Sequence, residues 1–163
     1  MKNVRFTGKG FTITEVLIAL FIFGTIIALP TVFLWGIGRA DALAATTREV
    51  VGILHEAQTD TIAGRSLDGV QPQSYGIHFE SSYFVYFEGT SYNPSDSDNR
   101  RTDLPVGLSF SQIALPSNSV VFTRVTGRVL NFDPNANFVV ISDSNTGETR
   151  RITVSREGGI AYE

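Results

Sequence analysis

The sequence predicts an α+β protein: a long N-terminal helix, membrane-spanning in its first half and amphipathic in its second, packed on a small antiparallel β-domain. Three observations predict this fold class. A basic start is followed by an apolar run of about 20 residues from Val16 to Trp35, long enough to cross a bilayer. A helical rhythm of apolar positions then continues to Ala63, and short β-branched and aromatic runs separated by turn residues begin at Ser74.

Composition excludes several classes of function. The 163-residue chain contains no cysteine, so it offers no disulfide, no thiolate nucleophile and no cysteine-based zinc site. Its net charge is -3, and without Lys2, Arg5 and Lys9 it would carry 10 basic against 16 acidic residues, a net charge of -6. Such an acidic chain is a poor general binder of nucleic acid, whose phosphates attract basic surfaces.

The apolar run near the start has two ordinary interpretations. One is a secretory signal peptide, because Ala40-Asp41-Ala42 and Ala42-Leu43-Ala44 both fit a signal-peptidase pattern. The other is a plain membrane anchor whose basic residues stay in the cytoplasm. Neither explains Glu15, a carboxylate at the edge of an apolar segment, where an unpaired charge costs several kcal/mol.

The six residues from Gly10 to Glu15, followed by the apolar run, resemble the processing site of type IV prepilins and type II secretion pseudopilins. The resemblance implies cleavage between Gly10 and Phe11 by a prepilin peptidase and N-methylation of Phe11. It also implies that Glu15 forms an assembly salt bridge with the N-terminal amine of a neighbouring subunit. Such a pair penalises any register that leaves either charge unpaired. The alternative is a carboxylate that reaches back to the lipid headgroups.

The same interpretation divides the chain into four segments. They are a leader peptide at 1–10, a transmembrane and assembly helix at 11–38, an amphipathic helix extension at 39–64, and an antiparallel β-domain at 65–163. Pro30 is expected to kink the helix, because proline removes a backbone hydrogen bond and clashes with the preceding turn.

The extension is predicted to bury one face against its own chain. Six residues recur at spacings of three and four and form an apolar-leaning stripe: Leu43, Thr47, Val50, Leu54, Ala57 and Thr61. Gly64 is predicted to end the helix.

Eight short strands are predicted after the helix. Their ranges are Tyr75–Phe79, Tyr83–Phe87, Leu108–Ile113, Val120–Val125, Arg128–Phe132, Phe138–Ser142, Arg150–Val154 and Ile160–Tyr162. Asn145-Thr146-Gly147 is predicted to be a hairpin turn, and the polar stretch Ser91–Asp103 a solvated loop.

The C-terminal half is similar to the GspH/FimT-type minor pseudopilins. The similarity rests on Val121-Phe122, Thr126-Gly127-Arg128, Arg151-Ile152-Thr153-Val154 and Gly158-Gly159-Ile160. It implies a minor subunit of a secretion pseudopilus or type IV pilus, located in the bacterial inner membrane with its globular domain outside the cytoplasm. The implied partners are other subunits, the prepilin peptidase and methylase, the inner-membrane assembly platform and membrane lipid.

Two alternative functions remain open. In some pilins of this kind a basic C-terminal surface holds DNA, and Arg128, Arg150 and Arg151 would be the contacts here, although the acidic chain argues against nucleic acid. The other alternative is a secreted β-domain that follows an ordinary signal peptide.

Enzymatic chemistry is not expected from the sequence. The two histidines, His55 and His78, are interpreted as structural, since nothing in the sequence places either one beside a serine and an orienting acid. No catalytic residue, metal site or cofactor is predicted. Asp133, Asn135 and Asn137 are spaced like the start of a calcium loop, but Phe138 stands where that loop requires glycine.

Overall fold

The structure is a computed structural model that describes residues 12–65 and 73–163, with the side chains of 27–41 left aside. One helix and eight strands follow in chain order: α1 (Ile13–Ala63), β1 (Tyr75–Phe79), β2 (Tyr83–Glu88), β3 (Arg100–Asp103), β4 (Leu108–Ala114), β5 (Ser119–Val121), β6 (Phe138–Asp143), β7 (Thr149–Val154) and β8 (Ile160–Tyr162). A short 3₁₀ turn at Pro116–Asn118 leads into β5. The chain divides into two compact units between Ala40 and Asp41.

The predicted fold class is wrong. A search of the described residues finds no helix whose length and apolar character would let it cross a membrane. The helical residues before Asp41 also belong to a different compact unit from the β-strands.

The β-strands form two antiparallel sheets. Sheet A has the order β3-β2-β1-β5, and sheet B has the order β4-β6-β7-β8. The turn predicted at Asn145-Thr146-Gly147 joins β6 to β7, which pair antiparallel in sheet B. Six of the predicted strands match observed strands to within a residue at each end, and they are β1, β2, β4, β6, β7 and β8.

Two of the strand assignments were wrong. Arg128–Phe132 is not a strand and makes only an isolated bridge from Val129 to Phe122, while the strand predicted at Val120–Val125 is reduced to β5. At the end of β5 the Asn131 side chain accepts the Val121 N–H at 3.2 Å, while the Leu130 N–H donates to the Val121 carbonyl at 2.7 Å. A side chain and a backbone group thus share the pairing of this residue.

The predicted loop Ser91–Asp103 ends in a strand, β3. Its two arginines lie over aromatic rings of β2: the Arg100 guanidinium is 4.2 Å from the Tyr86 ring centre, and that of Arg101 is 3.7 Å from the Tyr83 ring centre. These cation–π contacts are worth roughly 0.5–1 kcal/mol each at exposed sites. A polar, charged stretch can therefore pair as an edge strand.

The C-terminal part of α1 covers the core of the second unit. All six residues of the predicted stripe are buried. Leu43, Val50, Leu54 and Ala57 join one apolar cluster with inner-face residues of both sheets, such as Ile77 in sheet A. Burying a leucine side chain fully contributes about 1.5–3 kcal/mol.

Gly64 ends α1, as predicted. Its φ of 65° is left-handed, a conformation that glycine adopts without a steric penalty. The Gly64 N–H donates to the Thr61 carbonyl at 3.3 Å, and the Arg65 N–H donates to the Asp60 carbonyl at 3.0 Å. This pair of bonds is the Schellman arrangement, which satisfies the last carbonyls of a helix.

Candidate functional site

The first candidate site is the N-terminal apolar segment, defined as Ile13–Ile26 at the start of α1. Every side chain in it is exposed. Ile13 keeps 82% and Phe21 75% of their accessible surface. Large apolar patches of this kind mark surfaces that another molecule covers.

Glu15 is held at the start of this segment by Thr12. The Thr12 N–H and hydroxyl both donate to Glu15 Oε2 at 2.9 Å, and the Glu15 N–H donates back to Thr12 Oγ1 at 3.3 Å. This reciprocal arrangement is a capping box, which satisfies otherwise unpaired donors of the first helical turn. Glu15 Oε1 has no partner among the described residues, so it can accept a hydrogen bond from outside.

A shallow groove runs along the same face of the segment. It encloses about 410 Å³ and is lined by Glu15, Val16, Ala19, Leu20 and Phe23. The spacing of these residues places them on adjacent turns of one helix face. The groove is therefore apolar along its length and carries a single carboxylate at its N-terminal end.

Three other residues predicted to take part in processing and assembly cannot be placed in the same way. Gly10 and Phe11 lie outside the described residues. Pro30 lies within the bounds of α1, and its side chain is outside the described part of the chain. Cleavage, methylation and the kink remain predictions.

The three arginines proposed for DNA contact do not form one patch. Arg128 Nε is 2.7 Å from Glu157 Oε2, and Val129 bonds to the carbonyl of Arg156, just beyond the end of β7. Arg150 and Arg151 lie near the opposite end of β7, where successive side chains point to opposite faces of the sheet. The Arg151 guanidinium also lies 4.2 Å from the centre of the Phe138 ring.

The second candidate site lies on sheet A, on the face turned away from the core, and we call it the outer cleft. It encloses about 360 Å³ between the segment after β2 and the turn before β5. His78 of β1 and Ser119 of β5 are direct cross-strand partners, so their side chains share this face. His78 and Ser119 are 9% and 5% exposed.

The imidazole of His78 makes a contact on each edge and on one ring face. Nδ1 is 2.9 Å from Ser119 Oγ, and Nε2 is 3.2 Å from Glu80 Oε1. The Tyr92 ring stacks on it, with 4.1 Å between ring centres and 11° between planes. Ser119, His78 and Glu80 therefore form a continuous row of hydrogen-bonded side chains. Sequence patterns did not connect these three residues.

This arrangement corrects the view that nothing places a histidine beside a serine and an acid. The H-x-E spacing of His78 in β1 and Glu80 directly after it was the available signal, because residues two apart in extended backbone share a face. Nothing local indicated Ser119, since its partner strand is far away in sequence. His55 on α1 is exposed, and its side chain makes no hydrogen bond or ion pair with another described residue.

Metal ligands do not gather in the described ranges 12–65 and 73–163, where no three histidine, aspartate or glutamate side chains converge. Comparison with known proteins finds no family model, no curated protein and no solved structure that matches this chain.

Proposed function

We propose that the protein is a subunit of a pilin-like filament, matured between Gly10 and Phe11 and assembled through its N-terminal apolar segment. The observation that carries the proposal is the exposure of that segment together with the position of Glu15 at its end. Apolar side chains from Ile13 to Ile26 have no cover within the described chain, and equivalent segments of sister subunits would cover them.

Glu15 supports a specific register for this assembly. Thr12 engages only Oε2 of its carboxylate, which leaves Oε1 directed at no described residue. The methylated amine of a neighbouring Phe11 would supply the missing positive charge. Removing one partner of a buried ion pair typically costs 3–5 kcal/mol, so subunits that mispair would be rejected.

The partners follow from this role. They are other subunits of the filament, the peptidase that cleaves after Gly10 and methylates Phe11, the assembly platform and the surrounding lipid. Localisation at the bacterial inner membrane belongs to the same proposal, because the resemblance implies processing there.

Mass spectrometry of the protein purified from a host with a prepilin peptidase tests the processing step. We expect a mature chain that begins with N-methyl-Phe11. A chain that begins at Leu43 or Ala45 would contradict the proposal and favour a secreted domain.

The Glu15→Gln variant tests the assembly step. Glutamine can still accept the Thr12 bonds of the capping box, so the helix start is preserved while the charge is lost. We expect correct cleavage and loss of co-assembly with the major subunit in a pull-down. Glu49→Gln, which alters an exposed carboxylate later in α1, should assemble normally. Normal assembly of Glu15→Gln would show that the carboxylate serves the helix cap alone.

A further inference from the structure

The outer cleft contains a serine in contact with a base whose tautomer is set by a carboxylate. Glu80 as a carboxylate has no proton to donate, so it accepts from Nε2–H of His78 at 3.2 Å. In the neutral imidazole the other nitrogen, Nδ1, then carries a lone pair. That lone pair faces Ser119 Oγ at 2.9 Å, within the range for proton transfer.

Two neighbours of the His78 ring would contact the cation that such a transfer creates. Glu80 lies on one edge of the ring, and the Tyr92 ring stacks on its face at 4.1 Å. An aromatic face attracts a cation, and the attraction grows where solvent is excluded. The carboxylate adds a charge-assisted hydrogen bond.

Ser119 directly follows a strained turn, and its own backbone is extended. The two residues before it, Ser117 and Asn118, have φ values of 52° and 53°, and Val125 is the only other non-glycine residue with positive φ in the described ranges. Backbone strain of this kind concentrates at functional sites. Asn131 braces the strand, because its Nδ2 donates to the Ser119 carbonyl at 2.7 Å.

We propose that Ser119 is a nucleophile with His78 as its general base, and that the outer cleft binds a small uncharged carboxylic ester. The proposal is independent of the filament role, since it concerns other residues in the other compact unit. Glu80 acts as a positioning residue, because it touches His78 and not the reacting atoms.

The reaction balances without a further reagent except water. Ser119 Oγ attacks the ester carbonyl carbon while its proton passes to His78 Nδ1. The alcohol leaves with that proton, and the acyl group remains on Ser119. Water then attacks the acyl carbon, His78 Nδ1 takes its proton and returns it to Ser119 Oγ, and the carboxylic acid is released.

The lining of the cleft supports an uncharged substrate. Besides His78, the residues that line it supply hydroxyl groups, such as those of Thr90 and Ser117, the ring of Tyr92 and the apolar side chain of Val121. Lysine, arginine, aspartate and glutamate are absent from the described lining. The volume of about 360 Å³ lies at the small end of ligand sites.

One competing hydrogen bond defines how the serine must move. Ser119 Oγ also lies 3.0 Å from the Ser117 carbonyl, which can accept the same proton. Rotation about the Cβ–Oγ bond moves the proton between this carbonyl and Nδ1. Both acceptors are within reach, so activation requires no movement of the backbone.

Covalent labelling of the full chain tests the proposal. A fluorophosphonate probe transfers its phosphonyl group to an activated serine with loss of fluoride, and digestion with mass spectrometry locates the adduct. We expect the adduct on Ser119, its loss in Ser119→Ala and its retention in Ser111→Ala, a serine exposed on β4. Hydrolysis of p-nitrophenyl acetate should follow the same pattern.

Two further variants separate chemistry from structure. His78→Gln should slow labelling about a hundredfold, the typical contribution of a general base. Glu80→Ala should slow it about tenfold, and Glu80→Gln, whose oxygen still accepts Nε2–H, should restore most of the rate. Restoration by glutamine is not expected if Glu80 merely fills space.

Several outcomes would overturn the proposal. They are no adduct on Ser119 of the native chain, an equal yield in Ser119→Ala, or undiminished labelling of a folded His78→Gln variant. Where circular dichroism shows that His78→Gln does not fold, wild-type labelling in denaturant decides the matter. If Ser119 reacts equally well in the unfolded chain, its reactivity does not depend on His78.

Discussion

The two described stretches of α1 differ in whether their apolar side chains are exposed or buried. Ile13–Ile26 is almost wholly apolar, and every side chain in it is exposed. Leu43–Thr61 alternates apolar and charged residues, and its six stripe positions are buried. The more apolar stretch thus has less cover from its own chain, although both belong to one helix.

This difference shows that periodicity, rather than mean hydropathy, decides what a helix buries within its own domain. A stripe at spacings of three and four can face a core while the remaining residues stay hydrated. A segment that is apolar all round has no hydrated face, so it requires another surface on every side. The first stretch is therefore suited to association and the second to folding.

Truncation of one leucine in each stretch should give the largest contrast. Leu54 is 0% exposed, and Leu54→Ala should lower the free energy of unfolding by about 2–5 kcal/mol, because it removes buried methyl groups and leaves a cavity. Leu17→Ala, at an exposed position, should change it by less than about 0.5 kcal/mol. Urea denaturation followed by circular dichroism measures both. Similar losses would show that the N-terminal segment is buried within the folded chain.

A buried threonine should give the next largest effect. Thr61 Oγ1 accepts the Tyr75 N–H at 2.9 Å and donates to the Ala57 carbonyl at 2.7 Å, so it joins α1 to β1. Thr61→Val leaves the buried N–H unpaired and should cost about 1–3 kcal/mol. Thr59→Val, two residues earlier and exposed, is the matched control and should change stability little. Equal stability of the two variants would mean that water satisfies Tyr75.

Alkaline pH should lower the free energy of unfolding of the second unit. Burial, followed by the hydrogen bond to Asp60, raises the pKa of Tyr86 above its ordinary value. The folded state then retains a proton that the unfolded state releases above about pH 10, so stability falls as pH rises beyond that point. Tyr86→Phe should reduce this slope in denaturation measured from pH 8 to 11, and Tyr162→Phe, at an exposed site, should leave it unchanged. Burial also raises the pKa of Tyr75, so part of the slope should remain.

The smallest effect is expected at the helix start. Thr12→Val removes the capping-box hydroxyl, which should cost roughly 0.5–2 kcal/mol of local helix stability. The cooperative unfolding of the second unit should be unaffected, because the hydrogen bonds that the Thr12 side chain makes lie within the first helical turn. Amide hydrogen exchange of residues 13–16 measures the local loss, and the urea midpoint measures the global one. A shift of the midpoint would show that the two stretches unfold together.

Local sequence patterns predicted much of the structure of the second unit. The stripe from Leu43 to Thr61, the Gly64 helix end and six of the strands all depend on residues close together in sequence, where period and turn chemistry are informative. The transmembrane assignment, by contrast, had no such periodicity or turn chemistry behind it, and it was wrong. It depended on apolar length alone, and the part of the chain that the structure describes contains no helix long and apolar enough to cross a membrane.

The outer cleft could not have been derived from local patterns. His78 and Ser119 meet because β5 pairs with β1 in a particular register, across 41 residues of sequence. A shift of that register by one residue would turn Ser119 to the other face. Strand β3 was missed because its charged arginines were interpreted as part of a solvated loop. In the structure they stack on the rings of Tyr83 and Tyr86, which keeps the segment on the sheet.

One side chain on α1 hydrogen-bonds to two turns of the second unit that are far apart in sequence. The Gln58 amide donates to the carbonyl of Gly127 at 2.9 Å and to that of Gly158 at 3.1 Å. A Cβ on Gly158 would come within 2.3 Å of the Gly127 carbonyl, so only glycine allows the two turns to approach each other in this way.

The consequence concerns synthesis on the ribosome. Gln58 is made 100 residues before Gly158. At about 5–20 residues per second, the helix waits roughly 5–20 s for its last partner to be made. Until the strands that cover it have been made, the stripe from Leu43 to Thr61 lacks part of its apolar cover. Transiently exposed apolar surface of this kind makes a nascent chain prone to aggregate.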